Sequence, residues 1–112
     1  MNDSWVLSHK FILSLNEGDS FYLGNKKHEV TKVNTHKISF VIDGKPFNII
    51  KKKYEDFFYF HSRSIKIRNR MYPEIDNFIR DIEGYIIYLN QIHFLSDKEK
   101  KFKEILDRVL EV

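Results

Sequence analysis

Residues 51–70 hold the side chains of this 112-residue chain best suited to chemistry or recognition. Lys51, Lys52 and Lys53 come first, then the aromatics Tyr54, Phe57, Phe58, Tyr59 and Phe60, then Arg63, Lys66, Arg68 and Arg70. Only Glu55 and Asp56 oppose these cations within the stretch. Cations interleaved with flat rings suit an anionic partner that also offers surfaces to stack on, and nucleic acid is the commonest such partner. The expected binding set is therefore Lys51, Lys52, Lys53, Arg63, Lys66, Arg68 and Arg70 for phosphates. Tyr59 and Phe60 are the stacking candidates. A blander reading competes with it: rings usually go inside, and lysines keep a strand edge soluble.

A catalytic reading of the same stretch rests on Tyr59, His61 and Arg63, which share one face if the segment is extended. With a nearby lysine they would supply acid, base and phosphate clamp for metal-independent RNA cleavage, as in a small ribonuclease toxin. Nothing else points to an enzyme. The five histidines (His9, His28, His36, His61 and His93) are scattered, without the paired spacing of a zinc site. Four glycines form no phosphate-binding loop. The absence of cysteine excludes disulfides, thiolate metal sites and a cysteine nucleophile. The expectation is a non-enzymatic protein with no cofactor and no metal.

Composition bears on origin and partners. The chain has no alanine, whereas Phe (10), Ile (14), Lys (14), Asn (8) and Tyr (6) together supply 52 residues. Those five have codons built mostly from A and T, so the gene belongs to an AT-rich genome. This accounts for some of the lysine before any function is invoked. Charge is uneven: residues 1–72 carry 13 basic and 7 acidic side chains (+6), and residues 73–112 carry 6 and 9 (−3). That asymmetry places a basic face in the first part of the chain. The length predicts one domain, with segments at about 1–16, 17–71 and 73–112. No stretch approaches the ~20 apolar residues of a membrane span, and no signal-peptide pattern opens the chain, so the expected setting is cytoplasmic.

The elements that must position the basic stretch follow from periodicity. Residues 4–14 fit a short amphipathic helix, with Leu7, Phe11 and Leu15 at helical spacing; a strand through Phe11, Leu13 and Leu15 is the rival. From residue 21 to 71 the period is near two. Ile38, Phe40 and Ile42 alternate with polar residues, and Asp43-Gly44 predicts a two-residue type I′ hairpin. Pro46 places the next strand at a sheet edge. Ile65 and Ile67 alternate with Lys66, Arg68 and Arg70, which reads as a strand with a cationic face. The Gly18-Asp19 turn followed by aromatic residues, the short hairpins and Val30-x-x-Val33 together resemble SH3-like barrels over about residues 17–70. That resemblance implies a small antiparallel, barrel-like sheet and no particular activity.

The last third reads as a helical hairpin. Pro73 suits a first helical position, and Ile75, Phe78, Ile79, Ile82, Ile86, Leu89 and His93 recur at three and four. Gly84 within it predicts a close approach or a kink. Ser96 and Glu99 form a capping box that opens a second helix with Phe102, Ile105, Leu106, Val109 and Leu110 on one face. Tyr85, Tyr88 and Ile92 stand off the main stripe and are the candidate oligomer or partner face.

These readings give an α+β domain: a barrel-like sheet, then an antiparallel helical hairpin, with a short N-terminal helix. Its expected function is binding, either of RNA or DNA or of a protein complex that handles them. The alternative is a phage- or mobile-element-type inhibitor of a host machine, in the manner of an anti-CRISPR acting on an RNA-guided nuclease. A homodimer is a further possible assembly, and no membrane contact is expected.

Overall fold

The computed structural model describes residues 3–60, Lys66, Arg70 and 72–110. Four strands, β1 (Ser20–Leu23), β2 (Lys26–Val33), β3 (Lys37–Ile42) and β4 (Lys45–Ile50), pair antiparallel in the order β1-β2-β3-β4. The sheet is an open meander, so each connection is a local turn. Asp43 and Gly44 have φ of 49° and 80°, the positive values that a type I′ turn needs at both central positions. Asn34 turns β2 into β3 by accepting the His36 and Lys37 amides at 2.8 and 2.9 Å. Pro46 lies on β4 at the sheet edge, opposite Val41, where its missing donor costs no ladder bond.

One face of the sheet is apolar. Phe21, His28, Val30, Ile38, Phe40 and Ile49 are buried, while Lys27, Glu29, Thr31, Pro46 and Asn48 are exposed. A bulge at Thr31 lets Lys32 pair with Ser39 directly after Val30 pairs with Phe40. The extra residue explains the three-residue spacing of the two valines: Val33 regains the inner face that a regular strand would deny it.

Helices cover that inner face. α1 (Asp3–Leu13) buries Trp5, Ser8, Phe11 and Ile12, confirming the helix over its strand rival. Phe11 stacks on Phe102 at 4.4 Å and meets Phe21 edge-on at 5.2 Å, so one ring joins two helices to the sheet. Directly after β4 comes α2 (Lys51–Phe60), then α3 (Pro73–Leu89) and α4 (Asp97–Leu110). α1 packs against both α3 and α4, and α4 runs along β1. The C-terminal pair has the expected hairpin arrangement, meeting through Tyr85 and Phe102 at 4.9 Å. The capping box forms as the spacing requires: the Ser96 amide donates to Glu99 Oε1 at 2.8 Å, and the Glu99 amide to Ser96 Oγ at 3.3 Å.

Two expectations are corrected. The β-rich part ends at Ile50, because α2 follows without a break and Lys66 and Arg70 are also helical. Tyr54 and Phe57, three residues apart, both point into the core, which a helix achieves and a strand cannot. Gly84 marks no close approach: it is exposed, and a Cβ there would meet nothing within 4 Å among the described residues. No helix among these residues is long and apolar enough to cross a membrane.

Candidate nucleic-acid interface

The aromatic part of the basic stretch is largely structural. α2 is held by Tyr54 and Phe57, which are 2% and 0% exposed. Tyr54 stacks on His9 and Phe57 packs against Trp5 at 5.5 Å, so two residues one turn apart on α1 receive α2. Burial keeps the Tyr54 phenol well above the usual tyrosine range and pushes His9 below the ordinary histidine value. Both groups are neutral near pH 7, joined by a hydrogen bond of 2.7 Å between Oη and Nδ1.

That anchoring sets the lysines. Lys51, Lys52 and Lys53 are the first three residues of α2, and the first turn contains no acid. The Lys51 amide donates to the His36 carbonyl at 2.8 Å, tying the helix start to the β2–β3 turn. Lys52 and Lys53 are exposed. Among the described residues, no carboxylate lies within ion-pair range of Lys51, Lys52, Lys53, Lys66 or Arg70. Cations at the positive end of a helix dipole are unfavourable, by about 0.3–1 kcal/mol each for exposed groups. The burial of Tyr54 and Phe57 outweighs this, since truncating a buried aromatic costs about 3–5 kcal/mol. The result is a concentrated positive corner, which can accept an anion.

Lys66 and Arg70 are exposed, in helical backbone in place of the expected cationic strand. Arg63, Arg68 and His61 lie outside the described residues, as do the side chains of Tyr59 and Phe60 in α2. The Tyr59–His61–Arg63 arrangement therefore has no described geometry. No three His, Asp or Glu among the described residues are grouped to hold a metal.

The second candidate face divides. Tyr85 and Ile92 are half-buried against the core, and Tyr88 is 46% exposed, its phenol pKa raised by Glu99. Ile87, in the last turn of α3, is 40% exposed, and Phe94, after the helix, is 92% exposed. Phe94 has no periodic signal in the sequence; it lies in the short join after α3, where only the chain path decides exposure. No family model matches this chain, and no match to it was found among curated proteins or solved structures.

Proposed function

We propose that this is a non-enzymatic binding protein that engages nucleic acid through the lysine-bearing start of α2, with Lys66 and Arg70 extending the cationic surface. The observation that carries the reading is the first turn of α2. Three consecutive lysines stand at its positive end with no acid in that turn. A polyanion brought there relieves the repulsion among them. Phosphate binding of this kind releases counterions, so affinity falls with salt by about 0.9 log units per contact on duplex DNA and about 0.7 on single strands.

Fluorescence anisotropy with short labelled RNA, single-stranded DNA and duplex DNA, across a salt series, tests this. Replacing Lys52 and Lys53 by Ala is expected to flatten the log–log slope by about 1.4 on single strands and 1.8 on duplex. Binding that ignores salt, or that is unchanged in the double variant, overturns the proposal.

A second reading has its own support. Ile87 and Tyr88 in the last turn of α3 and Phe94 in the join after it each expose apolar surface, and aromatic residues commonly anchor protein interfaces. In that reading the chain docks on a nucleic-acid-handling protein and inhibits it. A pull-down with nuclease treatment separates the two: a stoichiometric protein partner lost with Phe94→Ser favours inhibition, and nuclease-sensitive recovery favours direct binding.

A further inference from the structure

A cleft of about 710 Å³ opens between the β1–β2 turn and α3, away from the basic stretch. Its floor is apolar: Leu23, Ile42, Phe47, Phe78 and Tyr85. Its rim carries Glu74, Asn77 and Asp81 from one face of α3, with Asn25, Lys26 and the edge of His28 from the β1–β2 side. The volume lies within the roughly 300–1,000 Å³ of small-molecule sites, which likewise combine an apolar body with a few polar groups.

His28 gives the cleft its chemical direction. The residue is 3% exposed and is clamped between Phe21, stacked at 5.0 Å, and Phe78 at 5.8 Å. Its Nδ1 lies 3.0 Å from the Lys26 carbonyl, which can only accept, so that nitrogen carries the proton. Burial lowers its affinity for a second proton. Nε2 is therefore an acceptor, and no described residue donates to it. Nε2 is not sealed in the core: it opens on the cleft, where its lone pair can accept from an N–H group of a bound molecule. Glu74 and Asp81 ask for the same thing: neither has a hydrogen-bond or ion-pair partner among the described residues. Against these acceptors the rim sets one cation, Lys26, which is exposed.

We propose that this cleft binds a flat, protonated aromatic amine or amidine, its ring on Phe47 and Phe78 and its N–H groups directed to His28 Nε2, Glu74 and Asp81. An anionic ring is repelled by the two carboxylates, and a cation without a ring leaves the apolar floor unfilled. The site is independent of the cationic surface on α2, whose charge is opposite.

Titration of the full chain with benzamidine, followed by two-dimensional NMR, tests the proposal. Saturable shifts are expected at the amides of Asn25, Lys26 and Asn77, with movement of the His28 Nε2 resonance. Benzoate, the same ring with the opposite charge, is expected to bind at least tenfold more weakly, as is agmatine, a cation without a ring. Glu74→Gln and Asp81→Asn alter exposed side chains and leave the fold intact; each is expected to weaken benzamidine about tenfold, or 1.4 kcal/mol. Equal binding of benzoate, unchanged affinity in the double variant, or no saturable shift at the cleft overturns the proposal.

Discussion

The hydroxyl of Tyr54 lies 2.7 Å from Nδ1 of His9, and the two rings stack at 5.2 Å with their planes 11° apart. These residues are 45 positions apart in the chain. Their contact locks α2 onto α1 and so decides where the three lysines at the start of α2 face. Removing only the hydroxyl, in Tyr54→Phe, is expected to cost about 1 kcal/mol. Removing the ring, in Tyr54→Ala, is expected to cost about 3–5 kcal/mol. Urea unfolding of the two variants separates the polar from the packing contribution; equal losses would show that the hydrogen bond alone holds the helix.

Acid is expected to destabilise the fold through His28, which is buried, and His9, which is half-buried. Burial lowers the pKa of both His9 and His28 from 6.5. As pH falls below 6.5, the unfolded chain takes up protons that the folded chain still refuses, so protons favour unfolding. Their contribution is complete above pH 6.5 and is lost as pH falls towards the lowered folded values. Around His28, the hydrogen bond to the Lys26 carbonyl, then Asp43 and Asp81, oppose this shift, and the Lys26 charge adds to it, each less than burial does. Glu99, lowered from 4.5 by the Ser96 amide, acts only at still lower pH. Urea midpoints measured on either side of pH 6.5 check the sign; a midpoint that rises on acidification contradicts it.

Charge reversal at the start of α2 is expected to move stability and binding in opposite directions. Lys52→Glu with Lys53→Glu places acids at the positive end of the dipole and is expected to stabilise the fold, by about 0.5–2 kcal/mol for the pair. The same change is expected to weaken nucleic-acid binding beyond the neutral Ala variant. Thermal unfolding and anisotropy on one preparation test both. Lost binding together with lost stability would mean that the lysines serve the fold.

Gly84 is expected to be replaceable at a profit in stability. It is exposed within α3, and an added Cβ meets open space among the described residues. Gly84→Ala is therefore expected to stabilise by up to about 1 kcal/mol, the difference in helix propensity. A destabilised variant in urea unfolding would reveal a close neighbour of α3 that the described residues do not include.

Much of the architecture is legible where the signal is local. Asp43-Gly44 dictates its turn because both positions need positive φ, and Ser96 with Glu99 closes its own cap. The stripe from Ile75 to Leu89 reads as a buried helix face because its repeat matches 3.6 residues per turn over several turns. Residues 51–60 lack such a repeat. Their rings are nearly continuous, so periods of two and of 3.6 both fit, and the alternation of Ile65 and Ile67 with cations matches the period of a strand.

The sequence by itself therefore determined an antiparallel sheet, its tightest turn and the C-terminal helical pair, since neighbouring residues carry those instructions, and it left helix and strand open for residues 4–14. Only the tertiary structure decided that α2 is a helix: Tyr54 and Phe57 find their partners on α1, far away in the chain. The same holds for His28, one scattered histidine in the sequence. Strand pairing sets it beside Phe21, and the approach of α3 brings Phe78 and Asp81 to the same cleft. Burial and electrostatic surroundings are properties of packed elements, and no local pattern encodes them.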